Sequence, residues 1–154
     1  MISVPTPLDP AFFSLLSGSY ERLLGRPLVP ETSHGTHPAD WLYHDAPFAV
    51  LVQDGGDDPA FVYANITAQR CFSYSWHEFS GLRSSLSAPI VARAERDHAL
   101  SDVLRDSVVE GYRGLRISGT GRRFWIEDVT IWNLAELDGV VHGQAALIPS
   151  WSDV

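Results

Sequence analysis

The residues able to do chemistry are few and scattered. Cys71 is the sole thiol. His34 and His37 form an H-x-x-H pair in a Gly/Pro-rich stretch, and His98 stands among charged residues. Glu127 and Asp128 interrupt an otherwise apolar run. A carboxylate forced inward there would have a raised pKa and the makings of a general base. Each feature has a plainer reading. A lone Cys on an amphipathic segment behaves as a small core residue. An H-x-x-H with no second pair of ligands is a weak metal pattern, so no metal is expected. Glu127 and Asp128 can form a bulge and reach solvent, Arg116, Arg122 or Arg123. No Ser/His/Asp set, phosphate loop or nucleophile elbow is present. No catalytic residue is therefore assigned, and the chain is read as no enzyme; a small α+β enzyme using an inward carboxylate is the third-ranked alternative.

Composition narrows the classes further. The 154 residues suit one domain with a terminal extension, and 45% hydrophobic residues can bury a sizeable core. The net charge is -8, from 11 basic and 19 acidic residues. Nucleic acid needs a clustered basic surface and an anionic membrane would repel such a chain, so neither partner is expected. One Cys suits a reducing compartment. The first residues, MISVPTPLDP, lack a basic region followed by an apolar run, and a cytoplasmic location is the expectation.

The elements that must position any site follow from capping and periodicity. Asp9-Pro10 opens a helix that Gly25 can end, with Phe12, Phe13, Leu15, Leu16, Leu23 and Leu24 forming a broad apolar stripe. Residues 26–38 read as a linker. Phe48–Val52 and Phe61–Ala64 are strands joined by the turn Asp54-Gly55-Gly56-Asp57. The second strand stops at Asn65, which can cap a helix over Ile66–Phe72. Ser75-Trp76-His77-Glu78 matches a capping box, flanked by Tyr74 and Phe79 as staple residues, with Gly81 beyond. A helix is predicted from about Ala92 to Glu110, with Arg96, Asp97, Asp102, Arg105 and Asp106 on its polar faces. Strands are predicted over Tyr112–Ser118, Arg122–Leu134 and Val140–Ile148. The middle one changes phase, which a bulge near Glu127-Asp128 reconciles.

This order of elements resembles a PAS domain. The stretches DAPFAVLVQDGGDDPAFVYAN, SWHEFSGLRSSLSAP, YRGLRISGTGRRFWIEDVTIWNL and GQAA resemble the MEKHLA domain, a PAS-related family with small bacterial members. The resemblance implies an α+β fold: a five-stranded antiparallel sheet with helices on one face, here preceded by an N-terminal amphipathic helix. It divides the chain into residues 1–38, helix and linker, and 39–154, the PAS-like domain. It implies a sensory or ligand-binding module acting through dimerisation or a partner protein. The alternative is a pure interaction module without ligand.

No cofactor is expected. The blue-light flavin subgroup of PAS domains carries a Cys after its short helices, where this chain reads Gly81-Leu82-Arg83-Ser84-Ser85-Leu86. It also has an amide after F-W, where this chain has Ile126, and a Gln on the last strand, about where Leu147 stands. Haem-binding members use a His on the long helix; His98 is near that place but points away from Leu100 and Leu104 on a helical wheel. A pocket, if present, lies between the inner sheet face and the helices from Ile66 to Glu110. Its expected lining is Val50, Val52, Tyr63, Phe72, Leu86, Leu104, Trp125, Glu127, Val129 and Ile131, which suits a small apolar or aromatic metabolite. The N-terminal helix, through Phe12, Phe13, Leu15, Leu16, Leu23 and Leu24, is expected to make a homodimer.

Overall fold

The computed structural model describes residues 8–31 and 37–154. Helix α1 spans Pro10–Leu24 and α2 Pro38–His44. Strands β1, Ala49–Asp54, and β2, Phe61–Ala64, form a hairpin. Two short helices follow, α3 over Ile66–Phe72 and α4 over Trp76–Phe79, then two 3₁₀ turns and α5 over Arg93–Asp106. The chain ends in β3 Val108–Ile117, β4 Arg123–Ala135, β5 Val141–Ile148 and β6 Ser150–Asp153.

The strands make one antiparallel sheet in the order β2-β1-β5-β4-β3, with β6 pairing β4 beyond the end of β5. That sixth strand adds to the five expected. Pro149 separates β5 from β6, and β6 continues along the half of β4 that β5 leaves open. The long helix is shorter than its pattern predicts. It ends at Asp106, with Ser107 at φ 76 as its C-cap, and the β-branched pair Val108-Val109 opens β3 instead.

Asn65 explains why a strand runs straight into helices. It is fully buried, and its side-chain oxygen accepts from the backbone N–H of Ala68 and of Val50, each at 3.0 Å. Its amide donates to the carbonyls of Leu42 and Phe48, each at 3.0 Å. One side chain thus caps α3 and ties β1 and α2 to the same point. The Ser75–Glu78 capping box forms as well, at 3.2 Å and 3.0 Å.

The phase change in β4 is a bulge at Glu127-Asp128, where Asp128 takes φ 53. A second bulge on β3, at Glu110-Gly111 with Gly111 at φ 72, restores the register. Each strand carries one extra residue, so the pairing is offset only between them.

The sheet is covered on both faces. On the outer face α1 lays Phe12, Leu16 and Tyr20 over Val50, Val52, Val62, Tyr63, Trp132 and Leu134. Phe12 stacks on Tyr63 at 5.5 Å and Tyr20 meets Trp132 edge-on at 4.9 Å. Ser19 Oγ accepts from the Ala135 N–H and donates to its carbonyl, closing the end of β4. On the inner face α3, α4 and α5 pack Ala68, Phe72, Phe79 and Val103 against Leu51, Phe61, Phe124, Ile126 and Ile148.

Candidate functional site

The inner face holds a cavity of about 50 Å³. Its walls are apolar: Leu51, Phe61, Phe72, Leu100, Ile126, Val129, Ile131 and Ile148. Its polar lining is Gln53, Gln144, Ser87 and two arginines, Arg96 and Arg116. A groove of about 400 Å³ lies outside and shares Gln53, Arg96, Leu100 and Gln144 with the cavity. The groove's rim carries Asp54, Asp57 and Asp97.

Both arginines are buried, Arg96 at 5% exposure and Arg116 at 6%. Arg96, on α5, donates from Nη2 to Gln53 Oε1 at 3.0 Å and to Ser84 Oγ at 2.5 Å. Its Nη1 reaches Asp97 at 3.1 Å, but that carboxylate is 66% exposed. Burial, and behind it the charge of Arg116, hold the Arg96 guanidinium below its usual pKa. Arg116, on β3, donates to its neighbour's carbonyl at Leu115 and to Tyr112 Oη at 3.3 Å. The Tyr112 hydroxyl donates in turn to Glu95 at 3.0 Å. Among the described residues, Arg116 has no carboxylate in ion-pair range.

Side-chain amides carry the polar lining outward. Gln53 Nε2 donates to Gln144 Oε1 at 3.1 Å, and Gln144 Nε2 to Asn133 Oδ1 at 3.2 Å. Asn133 then donates to the Val103 carbonyl at 3.1 Å. A connected chain of amides therefore runs from Arg96 across β1, β5 and β4 to the last turn of α5.

Of the ten residues expected to line a pocket, Phe72, Val129 and Ile131 border the cavity. Val50, Val52 and Tyr63 face the other way, into the cluster under α1. Both faces of β1 are apolar because both are covered, so its phase could not be read; Leu51 and Gln53 are its inward residues. Leu86 is exposed, and Leu104 borders the outer groove instead. Trp125 is half-buried beneath the Arg113 guanidinium, which lies 3.9 Å from the ring centre. Glu127 sits in the bulge and accepts from the Ser152 hydroxyl, so its carboxylate is engaged at the sheet edge.

Leu147 packs against the outer cluster; the amide that β5 turns inward is Gln144, three residues earlier. Among the helix residues on α1, Phe12 and Leu16 are buried against the sheet, Phe13, Leu15 and Leu24 are half-buried, and Leu23 is exposed. His98 is 82% exposed and pairs with Asp102 at 3.7 Å, so it presents no ligand to the cavity. His37 caps α2, accepting from the Ala39 N–H at 3.4 Å; His34 lies outside the described residues. Among the described residues, no group of three or more His, Cys, Asp and Glu is arranged to hold a metal. No helix described is long and apolar enough to cross a membrane.

Arg96 and Arg116 were the residues sequence reasoning missed. Charged positions on an amphipathic helix are assigned to solvent, and Arg96 was placed there. For Arg116 a signal existed: Tyr112, Gly114 and Arg116 alternate on one face of β3, Ser118 follows in the same phase just past its end, and all four are buried.

The sequence profile of the MEKHLA domain matches residues 11–153. No curated protein matches the chain. Among solved structures, an RNA-binding Light-Oxygen-Voltage receptor aligns with TM-score 0.61 at 21% identity, over 78% of this chain and 35% of that one. The chain thus spans about a third of that receptor's length. The Light-Oxygen-Voltage domain of a blue-light activated histidine kinase from Erythrobacter litoralis aligns with TM-score 0.57 at 18% identity, over 71% of this chain and 97% of that one. A PAS domain from Colwellia psychrerythraea aligns with TM-score 0.58 at 15% identity, over 73% and 90%. These likenesses show the fold.

Proposed function

Because the chain belongs to the MEKHLA domain family, a PAS-related group, we propose that it is a sensory module working in the cytoplasm, in which a small molecule binds between the inner sheet face and helices α3 to α5. The observation that carries this reading is the inner cavity with its connected amides, which link a potential ligand at Arg96 to the last turn of α5. Occupancy would act by shifting α5 and the sheet edge, with no bond made or broken. Flavin suits the cavity poorly. Ligand sites for molecules of drug size start near ~300 Å³, against about 50 Å³ here. Cys71 is buried and its thiol is pushed up to about 12, chiefly by burial, so it offers no thiolate at neutral pH.

The output of such a module passes to another protein or to a second copy. Leu23 is exposed, and Phe13 and Leu15 are half-buried at the margin of the cluster under α1. These residues support a homodimer across that helix. Native mass spectrometry of freshly purified chain tests both parts. A dimer carrying an adduct of metabolite mass that denaturation removes is the expected result. A bare chain counts against the sensor and favours a pure interaction module; a monomer at high micromolar concentration removes the helix interface.

A further inference from the structure

We propose that the ligand is a small monocarboxylate with a short apolar body, its carboxylate held between the guanidiniums of Arg96 and Arg116. The inference rests on the sensory reading above and names its ligand class. It begins from charge. Two guanidiniums are buried at one cavity, and the groups that face them from β1, β3 and β5 are the neutral Gln53, Tyr112 and Gln144. The nearby carboxylates, Glu95 and Asp97 on α5, both lie at the solvent edge. Among the described residues Arg96 has one carboxylate partner, the exposed Asp97 at 3.1 Å, and Arg116 has none in range. Burying cations with so little compensation costs several kcal/mol, which a bound anion would offset.

The donor geometry agrees. Arg116 spends its donors on the carbonyl of Leu115 and on a long contact to a phenol, neither of which neutralises it. A guanidinium presents a planar fork that fits a carboxylate with two parallel hydrogen bonds. Gly114 keeps space for that fork. A Cβ at this position would stand 2.9 Å from Arg116 Nη1 and 2.8 Å from the Tyr112 ring. The walls and rim set the rest of the molecule. Phe72, Ile126, Val129 and Ile131 accept an apolar body, and a cavity of about 50 Å³ keeps it short. Asp54, Asp57 and Asp97 on the rim repel polyanions, which selects a single charge.

The test uses the full chain at constant ionic strength, with sodium propionate and sodium butyrate as probes and propionamide and butyramide as their uncharged counterparts. Calorimetry should show the carboxylates binding at least tenfold more tightly than the amides, with a dose-dependent rise in melting temperature. Arg116→Met should erase that preference. Equal binding of acid and amide overturns the inference on the unaltered chain, whether or not the variant folds. So does binding by neither carboxylate, or tighter binding of inorganic phosphate than of either. A neutral molecule found on the purified protein by native mass spectrometry would overturn the carboxylate and leave the sensory reading standing.

Discussion

The two faces of the sheet are built from similar apolar residues but finished differently. The outer face under α1 is apolar and aromatic. Its polar groups are spent on structure: Ser19 and Arg22 close the end of β4 at Ala135. The buried polar side-chain atom left over there is the Trp132 indole nitrogen. The inner face is just as buried, yet it keeps two guanidiniums, a cavity and a connected line of amides. Packing alone is a weak reason for buried charge, because apolar residues of similar volume often do as well or better. On the proposed reading both faces hold the fold, and the inner face also gives up some stability for binding.

That contrast breaks most directly by substitution on either side. Leu16→Ala, at a fully buried position under α1, should cost about 2–5 kcal/mol in urea denaturation. Arg116→Met on the inner face should cost nothing, or stabilise, when no ligand is present. Losses of similar size at both would make the inner arginine a structural brace and dissolve the distinction. Gly114→Ala ranks next. Its methyl would press on Tyr112 and on Arg116 Nη1, and overpacking of this kind costs about 1–3 kcal/mol. A full-strength fold after this change would mean that Tyr112 and Arg116 swing aside freely.

The fold was legible where the cause is local. Asn65 ends a strand, Ser75 and Glu78 cap each other, and the apolar phase of β4 flips between Ile126 and Val129; each has a local cause visible in the chain. The site was much less so. A strand covered on both faces looks the same in either phase, which is why Val50 and Val52 were expected where Leu51 and Gln53 stand. Buried arginine defeats the pattern altogether, since the periodicity argument spends every charge on solvent. The packing of α5 onto β3 and β4 turns Arg96 inward, while Arg116 follows the alternation of β3.

Alkali distinguishes the faces more gently, because each buries one group that resists ionisation. Burial raises the Cys71 thiol to about 12 in the inner cluster, and raises the Tyr63 phenol, chiefly by burial, in the outer one. The sign follows from which form each state prefers. The native state holds the neutral thiol while the unfolded chain ionises near its ordinary value of 9.0. The contribution is thus fully present below pH 9 and is lost as the pH climbs towards 12. One proton sets a slope of at most about 1.4 kcal/mol per pH unit. Cys71→Ala should flatten the fall that begins near pH 9, and leave the part that Tyr63 adds at higher pH. A curve unchanged by the substitution would mean the thiol is not held as buried as its surroundings imply.

The smallest expected effect compares the caps of one helix on each side. Asp9 accepts from the Ala11 N–H at 3.0 Å and starts α1 over the outer face. Ser75 and Glu78 start α4, a helix of four residues pinned to the inner cluster by the fully buried Phe79. The Ser75 contacts also hold the Glu78 carboxyl below its usual pKa. Replacing either cap by Ala removes one satisfied N–H and should cost about 1 kcal/mol. The two losses should differ in kind. Helix α1 is long and docks along β4, so Asp9→Ala should shift the global denaturation midpoint with the slope unchanged. Helix α4 is short and sits above the cavity's aromatic wall, where Phe79 meets Phe72 at 5.8 Å. Ser75→Ala should therefore also speed amide exchange locally, across Trp76–Phe79, beyond the change that global stability explains. Acceleration of equal size under α1 and over α4 would mean both faces open as one unit, and that the inner face has no mobility of its own with which to admit a ligand.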